Sequence, residues 1–405
     1  MKKTHLTLGF ALLLWGTSTA VGQNWLVKCD PNPCDPCASI EAYAPCDPCG
    51  PLFGNAGELP LNVSGWVDFG VFTNAHGFNN NGPMFTDSKR RNDFGLSQLY
   101  LEIEKTMNTR RGFDWGAKTD IVYGSHAGSM QCFGDETFDF GLGKNRHGYE
   151  LALYQLYGSV GYGNLSVKAG KFITTLGWEG SASRDNFFHS HSYLYMIEAA
   201  THMGVLADYA LTDRLAVNFG WTTGMDSSFA NPNNNQAILT GFTWALADDA
   251  TIIYAFSGGQ QSDGETMSDY FNQSLCLEWL LTDRFTYMMQ YNLRNDNARG
   301  GEGRLSAYGI NNHFLYKLDD QWAVGTRFEW FRDNGSWGIT ENNADYYQLT
   351  WGLNWRPFEN MLIRPELRYD WAKGASPFGN MDEEGTIEGV RSTQLSGGCG
   401  IVLTF

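Results

Sequence analysis

The sequence predicts an all-β protein, a transmembrane up-and-down antiparallel barrel of about sixteen strands. Three observations indicate this fold. Segments of about ten residues alternate between apolar and polar side chains, which is the period of a strand. The connections between these segments are alternately long and short. The chain closes with an alternating segment at 400–405 whose terminal Phe405 resembles the signal by which bacterial outer-membrane barrels are recognised for assembly.

The alternation is clearest at 285–294, where one face of the predicted strand is apolar or aromatic and the other face is largely polar. Segments 322–331 and 347–355 show the same pattern. Taken together, the alternating segments predict sixteen strands, at 61–72, 94–106, 112–124, 150–162, 165–175, 201–211, 215–224, 237–246, 250–258, 269–281, 284–294, 304–316, 321–331, 346–356, 361–371 and 390–405.

The connections indicate how the strands are joined. Tight turns such as 163–164 and 319–320 alternate with longer polar connections, as in barrels with short periplasmic turns and long external loops. The turns at 211–214, 246–249 and 281–284 recur every 35 residues, so each period holds one hairpin. A propeller blade would need four strands in about 40–45 residues. A sandwich would alternate too, but the polar face here is rich in Gly, Ser, Thr, Asn and Gln, as a wet interior would be.

Composition narrows the classes of function. The chain has 405 residues and a formal net charge of −16, from 28 Lys and Arg against 44 Asp and Glu, which argues against a nucleic-acid partner. Its mean hydropathy of −0.33 suits a barrel, because strands give lipid only every second residue. Aromatic residues near the predicted strand ends match the two interfacial girdles of such a barrel: Trp66, Tyr123, Tyr162, Trp221, Trp279, Trp330, Trp355 and Trp371.

The first 60 residues predict export and a separate extension. Residues 1–22 combine two lysines, an apolar run and a small-residue cleavage triplet, which indicates a cleavable signal peptide. Residues 23–60 form a Cys/Pro-rich periplasmic extension ahead of the barrel at 61–405. Because export leads to an oxidising compartment, we expect disulfides there, with intermolecular crosslinking and zinc binding as open alternatives. The disulfide candidates are Cys29, Cys34, Cys37, Cys46 and Cys49.

Several short stretches resemble the OmpL-like beta-barrel porin-2 family. They are 97–100, echoed at 154–157, then 167–172, 186–193 and 325–333, of which the last two are the most specific. The resemblance covers essentially 61–405 and implies an outer-membrane channel embedded in lipid, without naming a solute. Resemblance to other sixteen-strand porins implies a homotrimer, and the C-terminal strand implies contact with the barrel-assembly machinery. The Cys/Pro extension is not part of the shared pattern.

Charged residues in the polar phase of the strands are the predicted pore lining, since charge facing the lipid core is costly. Acids outnumber bases among them, which predicts a weak preference for cations. Strand 364–370 alternates charged with apolar residues, and either a ladder of interior salt bridges or a role in permeation accounts for it. The predicted lining residues are Asp68, Glu102, Glu104, Asp114, Lys118, Asp120, Lys168, Asp208, Glu278, Arg294, Arg327, Glu329, Arg364, Glu366, Arg368 and Asp370.

The third long connection, 176–200, is predicted to fold into the barrel and constrict it, with a packed plug or an external cap as alternatives. Its candidate residues are Trp178, Glu179, Arg184, Asp185, Phe187, Phe188, His189, His191 and Tyr193. The His189-x-His191 pair could bind a metal on extended backbone, but no third ligand is evident, so we predict hydrogen bonding rather than a metal or cofactor.

No motif for catalysis is evident, because the chain lacks a Gly-x-Ser-x-Gly elbow, a P-loop, a dinucleotide fingerprint and a His-Glu-x-x-His helix. The sequence therefore predicts a non-enzymatic porin for passive diffusion of small hydrophilic solutes or ions. The alternative is a structural envelope barrel with a plugged interior, crosslinked through its Cys-Pro extension. A soluble secreted sandwich is a third hypothesis.

Overall fold

The computed structural model describes residues 61–74, 94–132, 148–229, 234–262, 267–298, 304–334, 343–381 and 387–405. The predicted signal peptide, the Cys/Pro extension and its five cysteines lie outside these ranges. The strands are β1 (Asn62–Asn74), β2 (Gly95–Lys105), β3 (Phe113–Gly124), β4 (Glu150–Tyr162), β5 (Leu165–Ile173), β6 (Thr201–Ala210), β7 (Leu215–Met225), β8 (Gln236–Ala247), β9 (Ala250–Ser262), β10 (Met267–Thr282), β11 (Phe285–Ala298), β12 (Arg304–Lys317), β13 (Trp322–Asp333), β14 (Ala344–Phe358), β15 (Met361–Lys373), β16 (Phe378–Met381), β17 (Ile387–Arg391) and β18 (Thr393–Thr404).

Among the described residues, β1 to β15 and β18 form one closed antiparallel barrel in which each strand pairs with its neighbour along the chain. The ring closes where β18 pairs with both β15 and β1, with Gly70 opposite Gly400. The predicted sixteen-stranded up-and-down barrel is confirmed. The sequence did not predict the separate hairpin of β16 and β17, which lies in the last long connection.

The two faces of the wall follow the alternation in the sequence. On β13, Trp322 stacks on Trp355 of β14 with ring centroids 5.2 Å apart, and Val324 and Phe328 are exposed on the same outer face. The intervening Arg327 and Glu329 are fully buried inside the barrel. No helix within the described ranges is long and apolar enough to cross a membrane.

Short 3-10 turns lie in the connections, at Thr109–Arg111, Ala127–Met130, Ser183–Asp185 and Leu194–Ile197. The last two belong to one long connection between β5 and β6. Because this connection carries several of the most deeply buried residues of the chain, the apolar core lies within the barrel rather than between layers of structure.

Candidate functional site inside the barrel

The connection between β5 and β6, residues 174–200, runs through the inside of the barrel; we call it the inner segment. Near its start, the Gly177 N–H donates to Ser274 Oγ on β10 at 3.1 Å. Further along, the Ser183 N–H donates to Gln98 Oε1 on β2 at 3.1 Å. Strands β2 and β10 stand opposite each other in the ring. A segment that touches both must cross the interior.

Two carboxylates on the wall bind the backbone of the inner segment. Glu329 on β13 accepts the N–H groups of Tyr193 and Leu194, each at 2.7 Å. Glu366 on β15 accepts those of His189 and Ser190, at 2.6 and 3.1 Å from Oε2. Each carboxylate therefore fixes two consecutive peptide groups of the segment.

Arg364 on β15 binds backbone carbonyl groups of the same segment. Its Nη1 donates to the carbonyl oxygens of Ser183, Asn186 and Phe188, at 2.5, 3.0 and 3.3 Å. Its Nη2 donates to Asp68 Oδ2 on β1 at 3.1 Å. The guanidinium fork thus joins three peptide groups of the inner segment to two strands of the wall.

Arg327 on β13 makes the most heavily buried ion pair with the inner segment. Its Nη1 lies 2.5 Å from Glu179 Oε1, with the two side chains 0% and 3% exposed. The same guanidinium donates to the Ser190 carbonyl at 2.7 Å and to the His191 carbonyl at 3.2 Å. Burial by itself would raise the pKa of Glu179, but the charge of Arg327 and further polar neighbours outweigh it and lower the pKa to about 2. Glu179 is therefore ionised across the physiological pH range.

Arg368 completes this side of the barrel. It pairs with Asp370 two residues along β15, at 2.9 Å, and donates from Nη1 to the His191 carbonyl at 2.5 Å. Asp370 in turn accepts the Tyr193 hydroxyl at 2.8 Å. We call the inner faces of β13, β15, β18 and β1 the anchored wall. Its charged groups on β13 and β15 bind the inner segment, and Asp68 on β1 pairs with Arg364.

The two histidines predicted in this segment are buried among these contacts. Burial, reinforced by the nearby Arg364, lowers the pKa of His189 well below its usual range. Burial also lowers the pKa of His191 to about 4, and its ring stacks on Tyr195 at a centroid distance of 4.0 Å. Both rings are thus neutral at neutral pH. Within the described ranges, no group of three His, Cys, Asp or Glu side chains could hold a metal ion.

A second group of charges lies on β2, β3 and the facing part of the inner segment. Lys118 Nζ lies 3.3 Å from Glu102 and 3.5 Å from Glu104, and 4.0 Å from Asp120. Arg184 of the inner segment reaches Glu102 at 2.9 Å. With Asp185, which pairs with Arg184 at 3.2 Å, these residues form what we call the ionic cluster. It contains four acids and two bases.

Solvent reaches part of the ionic cluster, whereas the charged residues that bind the inner segment from the anchored wall are buried. The Arg184 side chain is 32% exposed and the Glu104 side chain 18%. The guanidinium of Arg184 also lies over the Trp66 ring, with Cζ 4.4 Å from the ring centroid, while part of the side chain remains in contact with water. Asp120, deepest in the cluster, accepts the Tyr100 hydroxyl at 2.7 Å.

The other predicted lining residues are dispersed. Lys168 lies over the Phe172 ring at 4.9 Å. Glu278 accepts the indole N–H of Trp178 at 3.3 Å. The remaining three lie apart from both groups: Asp114 pairs with Lys105 at 3.2 Å near the short turn before β3, Arg294 pairs with Asp296 at 2.9 Å on β11, and Asp208 is partly exposed on β6.

Sequence reasoning missed the neutral amides that hold the inner segment. Gln98 accepts the Ser183 N–H and the Trp66 indole N–H, and donates to the Ser181 carbonyl at 2.7 Å. On β11, Gln290 and Asn292 both donate to the buried carboxylate of Glu198. A large amide in the polar phase of a strand is the available signal, but alternation alone does not separate it from a water-facing amide.

A family model described as "Putative beta-barrel porin-2, OmpL-like" matches residues 60–405. None of the curated proteins matches the chain in sequence. Among solved structures, an anion-selective porin from Comamonas acidovorans has a TM-score of 0.57 at 11% identity, covering 85% of this chain and 99% of that one.

Two further structures are similar in fold. The trimer form of OmpT, an outer membrane protein of Vibrio cholerae, has a TM-score of 0.54 at 12% identity, with 85% of this chain and 99% of that chain covered. The outer membrane channel DcaP of Acinetobacter baumannii has a TM-score of 0.54 at 10% identity, with 85% and 97% covered. At these identities the likeness is one of fold.

Proposed function

The chain belongs to the putative beta-barrel porin-2, OmpL-like family, and from that premise we propose that it forms a water-filled outer-membrane channel for passive diffusion of small hydrophilic solutes or ions. A closed barrel satisfies all of its backbone hydrogen bonds in lipid. One of sixteen strands has room for an aqueous channel. In this proposal the inner segment narrows the channel, because it crosses the interior from wall to wall.

The observation that carries the proposal is the uneven solvation of the barrel interior. The charged groups of the anchored wall are buried and occupied by the backbone of the inner segment. The ionic cluster keeps part of its surface in contact with water, most of all at Arg184. We therefore propose that the permeation path follows the side of β2 and β3, past the ionic cluster, and that the anchored wall is closed to solutes.

The charge of this path supports a weak preference for cations. Glu102, Glu104, Asp120 and Asp185 pair with Lys118 and Arg184, which leaves an excess of acid in the cluster when all six are ionised. The fold does not decide the sign, since the similar barrel from Comamonas acidovorans is described as anion-selective. Charges lining a low-dielectric passage attract the opposite ion and repel the like one.

By the same reasoning from relatives, we propose that the protein is a homotrimer, because the similar OmpT of Vibrio cholerae is described in a trimer form. Native mass measurement of the detergent-solubilised protein tests this. A mass of one chain plus detergent would contradict it.

The channel itself is tested in planar lipid bilayers. We expect the purified mature protein to produce stepwise, reproducible conductance in KCl, with protein that has been unfolded by heat as the negative control. A folded barrel that gives no steps at any protein concentration used for insertion would contradict the proposal.

One observation favours a second candidate, a structural envelope barrel with a plugged interior. Charges of the wall pair with one another and with Glu179 of the inner segment, and these side chains are almost completely buried, as in a protein core. Such a barrel would give no conductance, and its predicted Cys/Pro extension would produce disulfide-linked multimers on gels run without reductant. The bilayer measurement therefore separates the two candidates.

A further inference from the structure

Four glycines of the anchored wall and of neighbouring β14 lie in two pairs, and each pair lies beneath aromatic rings of the inner segment. Gly325 and Gly352 face each other in the register of β13 and β14. A Cβ atom on Gly325 would lie 2.4 Å from Cε1 of Phe187. A Cβ atom on Gly352 would lie 2.9 Å from Cδ1 of Phe188. Two rings therefore rest directly on the backbone of the wall.

The second pair is formed by Gly70 and Gly400, which face each other in the register of β1 and β18. A Cβ atom on Gly70 would lie 2.5 Å from Nε2 of His189, and one on Gly400 would lie 2.7 Å from its Nδ1. The His189 ring therefore occupies the space above both glycines. Three consecutive residues of the inner segment, 187–189, thus pack on the two glycine pairs, which we call the glycine seats.

The backbone does not explain these glycines. None of the four has a positive φ, so the conformation at each position is open to any residue. A glycine inside a strand costs roughly 0.5–1 kcal/mol relative to alanine. It commonly marks a place where something approaches the backbone closely. At these positions the approaching groups are the rings of Phe187, Phe188 and His189.

The seats and the polar contacts act on the same stretch of chain. Glu366 holds the N–H of His189, and Arg364 holds the carbonyl of Phe188, so the backbone is fixed where the rings are seated. Phe188 also lies under the guanidinium of Arg327, 4.9 Å from the ring centroid. The Phe188 ring is therefore packed between the backbone of the wall and the guanidinium of Arg327. The segment cannot slide without losing several of these contacts at once.

We propose that the glycine pairs Gly325–Gly352 and Gly70–Gly400 are positioning residues that fix the inner segment against the anchored wall as a permanent partition rather than a movable gate. The expected effect of this partition on conduction rests on the proposed channel function. The partition keeps the path beside the ionic cluster at one width, and the channel accordingly has one uniform conductance step.

The test places a side chain on one of these glycines and then removes the ring that packs against it. Gly352→Val places methyl groups where Phe188 lies, and Gly158→Val is the matched control, because a Cβ atom at this exposed strand glycine meets nothing within 4 Å. We expect Gly352→Val to lose the single uniform conductance step, and Gly158→Val to keep it. Adding Phe188→Ala to Gly352→Val should restore the uniform step.

A second readout does not depend on conduction. Ser190, which is 1% exposed, is replaced by Cys, and the protein is treated with a membrane-impermeant maleimide before the modified peptide is identified by mass spectrometry. We expect no label at position 190 in the background protein or with Gly158→Val. Label should appear with Gly352→Val, and adding Phe188→Ala to that variant should suppress the label again.

The outcomes divide cleanly. If Gly352→Val behaves as Gly158→Val in both readouts, the seats do not position the segment and the inference fails. If Gly352→Val does not fold, recovery of folding by Phe188→Ala supports the inference, and lack of recovery overturns it. If the background protein gives no conductance while the labelling pattern appears as expected, the proposed function fails and the seating of the segment stands.

Discussion

The anchored wall and the ionic cluster use the same residue types in opposite ways. On the anchored wall, Arg327, Glu329 and Arg364 bind peptide groups of the inner segment and are at most 2% exposed. In the ionic cluster, Glu104 and Arg184 bind other side chains and remain partly solvated. A charged residue on the inner face of a barrel therefore has either a structural or an electrostatic role, and its contacts rather than its phase decide which.

The largest expected effect comes from breaking the buried pair of the anchored wall. Arg327→Met removes the cation and leaves the Glu179 carboxyl buried without its partner, which costs about 3–5 kcal/mol. We expect a lower midpoint of urea unfolding, followed by tryptophan fluorescence. The double variant Arg327→Met with Glu179→Gln should regain much of the loss, because no uncompensated charge is left. Equal stability of the single variant and the parent would contradict the structural role.

The next effect is the loss of stability in mild acid. The pKa of His191 is lowered to about 4 in the folded protein, so between its ordinary value of 6.5 and about 4 the unfolded chain binds a proton that the folded protein does not. Stability from this group is therefore present above pH 6.5 and falls as the pH is lowered. From pH 7 to pH 5 the loss is about 2 kcal/mol.

Thermal unfolding at pH 7 and pH 5 measures this loss. His189 shifts in the same direction, so the variant His189→Gln with His191→Gln should show a smaller difference between the two pH values than the parent. Buried acids such as Glu198, whose pKa burial raises, work in the opposite sense and are unchanged in both proteins. If the difference in stability between the two pH values is as large in the variant as in the parent, the two histidines do not cause the loss.

A smaller effect on stability, but a direct one on selectivity, is expected in the ionic cluster. Glu102→Gln with Glu104→Gln removes two acids from the proposed path and leaves Lys118 and Arg184 in place. The reversal potential in a KCl gradient should move towards that of chloride, because the excess of acid is lost. Glu359→Gln, at an exposed position in a short turn, is the control and should leave it unchanged.

The smallest effect is expected outside both regions. Arg214 and Asp248 form an ion pair at 2.7 Å between two short turns, with side chains 54% and 80% exposed. Exposed pairs contribute between about 0.2 and 1 kcal/mol. Asp248→Asn should therefore shift the unfolding midpoint hardly at all, and a loss comparable with that of Arg327→Met would show that burial is not what separates the two classes of charge.

The strands could be predicted from the sequence because lipid and barrel interior impose the period of two directly. The strand ends at the long connections could not be predicted in this way. Strand β9 was predicted to end at residue 258 and β11 at 294, whereas pairing continues to Ser262 and Ala298. Beyond the membrane both faces of a strand meet water, so the alternation stops while the backbone ladder goes on.

The path of the inner segment could be predicted only as an expectation from porins in general. Its anchors bind peptide groups, and a peptide group is the same in every sequence, so nothing in residues 189–194 indicates that Glu329 and Glu366 hold them. The charges of 364–370 were expected to form a ladder between strands or to line a path. In the structure, Arg364 binds three carbonyl groups of the segment and pairs with Asp68 on β1. Arg368 pairs with Asp370 on its own strand and binds one carbonyl group of the segment.

The glycine seats were visible in the sequence only as strand glycines without a stated purpose. Gly325 lies in a stretch that carried the family resemblance, but a glycine on an inner wall fits a small-residue lining of a pore as well as a seat for a ring. The distinction needs the partner ring, and Phe187 lies more than a hundred positions away in the chain.

The most direct test of the central claim, that ions pass along the acid-rich side of a fixed partition, is the reversal potential of single channels of the unmodified mature protein in a KCl gradient. We predict uniform steps whose reversal potential lies on the potassium side of zero. Uniform steps that reverse on the chloride side, or a folded barrel without steps, would contradict it.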